Sequence, residues 1–188
     1  MKNLTFPAAP SIRALALVTL GLGLAAPASA ADQATIQRGA LLVGVGGCMD
    51  CHTPFKMGAK GPEKDLARGL SGHPATLRLG IPPKLDSDWN WAGSATMTAF
   101  VGPWGTSYAA NLTPDRETGI GTWKESDFIN SMRTGKHLGV ARPIMPPMPW
   151  QALGKLAAAD LKAIYAYLMA QPAISNRVPD FQPPADQR

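Results

Sequence analysis

Apolar residues recur at helical spacing in three stretches of this chain and lose that periodicity between them. In residues 34–45, Ile36, Ala40 and Val43 fall near one face with Leu42 and Val45 beside it, which predicts a first helix. Gly39 sits in its middle, where glycine costs up to about 1 kcal/mol relative to alanine; such a residue often lets another element approach closely. Gly46-Gly47 ends the helix. Thr122-Trp123-Lys124-Glu125 fits a capping box that opens a second helix, running to about residue 134 and closed by Gly135, with Phe128, Ile129 and Met132 as its buried stripe. Residues 158–169 carry Leu161, Ile164, Tyr165 and Leu168 at i, i+3, i+4 and i+7 and predict the last helix, although Ala157 stands where a capping hydroxyl is expected. Residues 53–105 have little periodicity and much loop punctuation, such as Gly61-Pro62 and Pro82-Pro83. Residues 95–101 and 107–111 predict a hairpin that turns at Gly102-Pro103-Trp104-Gly105. After Pro172 the chain is polar and proline-rich, which predicts an extended run over the surface.

The first thirty residues pattern differently. Lys2 and Arg13 precede or open an apolar run at 14–24, and Ala28-Ser29-Ala30 is a small-residue cleavage site, so 1–30 reads as an export signal cleaved near Ala30. The run is shorter than the roughly 20 apolar residues a transmembrane helix needs; the competing reading is an uncleaved anchor. Taking 30 residues from 188 leaves 158, the size of one domain. Without Lys2 and Arg13 the net charge falls from +5 to +3, and no Lys/Arg cluster points to nucleic acid. With 18 prolines and 19 glycines, much of the fold is expected to be loop around something other than its own core.

The candidate chemistry lies just after the first helix. Cys48-Met49-Asp50-Cys51-His52 has two cysteines three apart and a histidine directly following, the spacing of a c-type haem attachment site. One helical turn brings both sulfurs to one edge of a porphyrin, where they meet its two vinyl groups, and places the next imidazole under the iron. These are the only two cysteines, so a thiol-rich zinc site is excluded. A thioredoxin-like dithiol needs a strand–turn–helix setting that is not seen here, and a short structural disulfide leaves His52 unexplained. For the opposite face of the iron, Met145-Pro146-Pro147-Met148-Pro149-Trp150 offers a thioether in a proline-stiffened loop. His73 reads as a surface loop histidine, with a second imidazole ligand as the alternative, and His137 as solvent-facing.

Together, Cys48 to His52, Pro147-Met148-Pro149-Trp150 and Asp160-Leu161 opening a tyrosine-bearing helix resemble a class I, single-haem c-type cytochrome domain. Asn111-Leu112-Thr113-Pro114-Asp115 followed by Thr118-Gly119-Ile120-Gly121 and Trp123 is similar, more narrowly, to the cytochrome domains in electron-transfer subunits of periplasmic alcohol and aldehyde dehydrogenases. The resemblance covers about residues 36–55 and 106–178. It implies a mainly α, cytochrome c-like helical domain over 31–178 wrapped around one covalent haem c, with 56–105 as an atypical insert (a long loop with a possible β-hairpin) and 179–188 as an extended tail. It implies His52 and Met148 as axial ligands, with Met145 the competing sulfur. Gly39 with Tyr165 and Tyr167 would form the crossing of first and last helices. Tyr108, Asn111, Trp123 and Arg133 would lie near the haem edge or its propionates; the plainer readings are core packing for Trp123 and a solvated helix position for Arg133.

The function so implied is not enzymatic: one electron carried in the periplasm, from a dehydrogenase donor to a cytochrome or oxidase of the respiratory chain, with no stable membrane insertion after cleavage. A haem peroxidase or nitrite-type enzyme is the alternative and needs an open iron position with acid–base groups beside it. A gas sensor needs a fused signalling domain, for which 158 residues leave no room.

Overall fold

The computed structural model describes residues 30–86 and 88–184. Apart from Ala30, the expected export signal lies outside the described residues, as do the last four residues of the tail. Among the described residues, five helices and two small antiparallel sheets follow in the order α1 (Ala30–Val45), α2 (Cys48–His52), β1 (Phe55–Gly58), β2 (Gly61–Lys64), β3 (Ala92–Gly93), β4 (Ala99–Gly102), β5 (Gly105–Tyr108), α3 (Glu125–Thr134), α4 (Trp150–Leu153) and α5 (Ala158–Met169). Two single-turn helices, Leu66–Arg68 and His137–Gly139, lie in the connections.

The helical half rests on the packing of α1 against α5. A Cβ on Gly39 would lie 1.9 Å from the Ala163 carbonyl oxygen and 2.7 Å from Cβ of Tyr167, so only hydrogen fits where the helices cross. Arg38 Nε donates to Asp160 Oδ1 at 2.9 Å beside this crossing and anchors the first turn of α5, whose N-cap residue Ala157 has no side chain to offer. Val43, Leu161, Ile164 and Leu168 join Phe128 and Met132 of α3, Leu70 and Ile120 in one core. Burial of each large side chain there stabilises the fold by roughly 1.5–3 kcal/mol. The Tyr165 hydroxyl donates to the Trp123 carbonyl at 2.7 Å and Lys162 pairs with Glu125 at 3.1 Å, which fixes α3 on α5.

Two boundaries differ from expectation. The first helix begins at Ala30, four residues before its expected start at 34, because helical backbone continues through the polar turn ahead of the apolar stripe. The capping box is not Thr122 to Glu125: α3 starts at Glu125, and Asp127 Oδ2 accepts the Lys124 backbone N–H at 2.8 Å. The carboxylate at Asp127 outcompetes the one at Glu125 because it stands three residues after the last extended residue. Gly135 closes α3 as expected, and α5 matches residues 158–169.

The stretch read as loop is more ordered than its punctuation suggested. β1 and β2 pair with Phe55 opposite Lys64, and β3, β4 and β5 form a second sheet in that order, with Ala99 opposite Tyr108 and Val101 opposite Thr106. The expected hairpin is present, shorter than its sequence pattern and with β3 added on one edge. The described residues between 77 and 91 stay outside the core, leaving Ile81 98% and Trp89 67% exposed. On the other edge of the sheet, Gln182 exchanges both backbone hydrogen bonds with Thr106, at 2.8 and 2.9 Å, so the tail runs along β5. Gly39→Ala should lower the free energy of unfolding by at least about 1–3 kcal/mol in chemical denaturation, whereas Gly44→Ala, with open space at its Cβ position, should leave it unchanged or raise it.

Candidate haem-binding site

α2 is a single helical turn whose first and fourth residues are Cys48 and Cys51, so both sulfurs share one face. Both are half-buried and unbridged. Burial pushes both thiols above their ordinary range, and the neighbouring Asp50 carboxylate adds to it. A catalytic dithiol relies on the opposite shift. Lys64 of β2 donates to Asp50 at 2.5 Å and holds the turn against the first hairpin.

His52 ends the turn and is buried. Its Nδ1 lies 2.7 Å from the Ala110 carbonyl oxygen. A carbonyl can only accept, so Nδ1 carries the proton and Nε2 presents a bare lone pair. Burial lowers the imidazole's pKa and outweighs the opposing effect of the Ala110 bond, which keeps the ring neutral. A neutral imidazole, protonated on Nδ1 and fixed by a backbone carbonyl, is the donor that iron requires. The backbone of His52 is held as well, its carbonyl accepting from Gly72 N at 2.8 Å. These residues fit a covalently tethered haem: two thiols on one face, and next to them an imidazole with Nε2 free to ligate. Among the described residues, no three His, Cys, Asp or Glu side chains cluster to hold a metal by themselves.

The methionine loop follows α3. Met148 packs against the apolar core cluster, as Cys48, Leu112, Trp123 and Leu153 also do. The loop closes on itself through Met148 N to the Met145 carbonyl at 3.3 Å and Trp150 N to the Met148 carbonyl at 2.9 Å. Ser107 of β5 donates to the Pro146 carbonyl at 2.5 Å and ties the sheet to this loop. The Pro146–Pro147 peptide is cis.

The remaining candidates are engaged with the protein itself. Asn111 is buried, and its side chain is a hub: Oδ1 accepts from the backbone and hydroxyl of Thr113 at 3.0 and 2.7 Å, while Nδ2 donates to the Ile174 carbonyl at 2.8 Å and to Thr118 at 3.1 Å. Both terminal guanidinium nitrogens of Arg133 donate to backbone carbonyls after α4, one to Gly154 and one to Leu156 at 2.8 Å. Trp123 packs on the core and meets the edge of His137 with ring centroids 4.8 Å apart, so His137 is partly covered rather than free in solvent. Tyr108 packs against His73 with tilted rings 4.9 Å apart and lines a surface cavity of about 140 Å³ with Arg78, Leu79, Thr106 and Gln182. His73 corrects the sequence reading outright. It is 0% exposed, its Nδ1 bonds to Thr98 Oγ1 at 2.9 Å, and its Nε2 has no hydrogen-bond partner. Loop punctuation around it gave no sign that the β3–β4 turn folds over it. Sequence reasoning also missed Ala110, Gly72, Thr98 and Ser107; Ala110 and Gly72 act through their backbones and so leave no side-chain signal.

No family profile matches the chain. It is 30% identical over 178 residues to the cytochrome c subunit of the quinone alcohol dehydrogenase of Gluconobacter oxydans (strain 621H), an alignment covering 93% of this chain and 30% of that protein. It is 32% identical over 184 residues to the gluconate 2-dehydrogenase cytochrome c subunit of Pantoea cypripedii, covering 95% of this chain and 33% of that one. It is 34% identical over 73 residues to the fructose dehydrogenase cytochrome subunit of Gluconobacter japonicus, covering 39% of this chain and 15% of that one. Over most of its length, including the Cys48 to His52 motif, the chain is thus similar to cytochrome c subunits of dehydrogenases. The domain is related to the cytochrome c subunits of alcohol and gluconate dehydrogenases, and the chain spans about a third of the length of those two relatives.

Burial holds the pKa of His73 below the ordinary imidazole value of 6.5. The unfolded chain therefore binds more protons between that lowered value and 6.5, and the stability contributed by the neutral ring is complete above 6.5 and lost as pH falls below it. Thermal melting should drop between pH 7 and pH 5, and the drop should shrink in His73→Asn.

Proposed function

We propose that the chain is a single-haem c-type cytochrome of the periplasm that accepts one electron from a dehydrogenase and passes it to a cytochrome or oxidase leading to the respiratory chain. The observation that carries this reading is the neutral, Nδ1-protonated His52 beside two unbridged cysteines on one helical face. Haem c, when bound, supplies a one-electron Fe(III)/Fe(II) couple.

Each residue then has a defined task. Cys48 and Cys51 tether the group through their sulfurs, and Asp50, held by Lys64, keeps their turn in place. His52 offers Nε2, with its basicity sustained by the bond from Nδ1–H to Ala110. Met148, set by a loop that Ser107 and Trp150 both hold, would offer its thioether sulfur to the haem iron, a donor that favours the reduced state. α1, α3 and α5 give the domain its cytochrome c-like helical frame, and the insert and tail enclose the site rather than forming a second unit. In the periplasm, an exported chain with a net charge of +3 suits transient docking through steering charges. Tyr108, Asn111, Trp123 and Arg133 support the site by holding its walls through the contacts above.

An electron carrier is favoured over a haem enzyme by what the other histidines do. His73 is fully buried with Nδ1 on Thr98, closed to a substrate, and His137 packs edge-on against Trp123, so neither is presented as an acid–base partner over an open iron position. The relatives bear the names of cytochrome subunits. No helix among the described residues is long and apolar enough to cross a membrane.

Expression with a c-type maturation system and spectroscopy of the purified protein test the reading. The wild type should carry one covalent haem and, when oxidised, a low-spin spectrum with the far-red sulfur-to-iron band. Met148→Ala should lose that band, turn high-spin and bind carbon monoxide rapidly when reduced, while Met145→Ala keeps the wild-type spectrum. Loss of the band in Met145→Ala alone would reassign the sulfur, and a high-spin wild type would favour the enzyme.

A further inference from the structure

Two backbone groups hold His52: the Ala110 carbonyl on its ring and the Gly72 N–H on its own carbonyl. The residues next to these two, Ala109 and His73, belong to a closed ring of hydrogen bonds. Ala109 N donates to the Thr98 carbonyl at 2.8 Å, and the Ala109 carbonyl accepts from His73 N at 2.9 Å. The ring is completed by the side chains, with Thr98 Oγ1 and His73 Nδ1 2.9 Å apart. Both side chains are 0% exposed, so no water competes for this bond. Gly72 makes the approach possible. Its φ is +78°, and a Cβ there would sit 2.3 Å from the Ala109 oxygen.

We propose that His73 and Thr98 are positioning residues for the axial histidine: their hydrogen bond locks the two segments that orient the His52 imidazole, and through that orientation it sets the reduction potential of the haem. The proposal rests on the haem reading of Cys48 to His52. The chemistry of the pair supports it. Burying an imidazole with Nε2 unpaired costs stability, and a hydrophobic residue would fill the same space without that cost. What the imidazole adds is a bond to Thr98 that spans the two segments. The hydroxyl of Thr98 is supported in turn by Thr96 at 2.8 Å, and Thr96 by Ser94 at 3.1 Å, so the β3–β4 turn backs the clamp. The His73 carbonyl accepts from Asn176 Nδ2 at 2.9 Å, which fastens the same segment to the tail.

Loosening the clamp lets the Ala110 carbonyl drift from Nδ1. The imidazole then becomes a weaker donor, the ferric state loses stabilisation, and the potential rises. Thr98→Val keeps the side chain's shape and deletes the hydroxyl, Thr98→Ser restores it, His73→Phe deletes Nδ1, and His73→Asn returns a polar group at that position. Each is prepared as the full-length holoprotein and compared with wild type by redox titration and by EPR of the oxidised form, whose g values report the orientation of the axial imidazole. The expected result is a raised potential and altered g values in Thr98→Val and in His73→Phe, with Thr98→Ser and His73→Asn close to wild type. The two deletions come from opposite sides of one bond, so either one that folds suffices. A deletion variant that loads haem with unchanged potential and g values overturns the clamp while the haem reading stands. A wild type without covalent, histidine-ligated haem overturns both.

Discussion

The hydrogen bond from His52 Nδ1 to the Ala110 carbonyl is the contact on which the site depends. A buried imidazole is useful to iron only if it is neutral and only if the correct nitrogen is bare, and this one bond secures the tautomer while burial secures the charge. Its net stabilisation is modest, about 0.5–1.5 kcal/mol, but leaving the buried N–H without a partner would cost about 1–3 kcal/mol. The fold therefore has to deliver Ala110 to one place, and much of its non-helical structure serves that end. Thr98 and His73 grip Ala109 on one side. On the other, Asn111 fastens the chain to Thr113, Thr118 and Ile174.

The molecule thus divides its labour between two kinds of structure. The helices supply apolar burial: α1 crosses α5 at Gly39, and the core that results sets the floor on which Cys48 and Met148 both rest. The sheets, the insert and the tail contribute few large buried apolar side chains but many specific hydrogen bonds, and they aim backbone groups at α2 and at the methionine loop.

What could be read from the sequence follows the same division. α5 and the glycine end of α3 were legible because each is a local pattern of side chains within a few residues. Gly39 was legible as an anomaly, a glycine in the middle of an apolar stripe that found its reason in the Ala163 carbonyl. The β1–β2 hairpin was not legible, because its central residues Lys56, Met57, Pro62 and Glu63 are all exposed, which leaves no alternation to read. His73 was misread as a surface histidine because its burial comes from Thr98 and Tyr108, 25 and 35 positions away. Nothing in an alanine's identity could mark Ala110, whose contribution is a carbonyl oxygen. Asn111 was singled out through the family resemblance, and the structure shows the polar contacts that it makes to the tail.

The central claim is that this fold delivers a neutral, carbonyl-held His52 to a haem tethered at Cys48 and Cys51. A crystal structure of the haem-loaded protein tests it most directly. It should show two thioether bonds, iron on His52 Nε2 with the Met148 sulfur opposite, and Ala110 oxygen still within hydrogen-bond distance of Nδ1. Iron bound elsewhere, or a His52 ring turned away from Ala110, would contradict it.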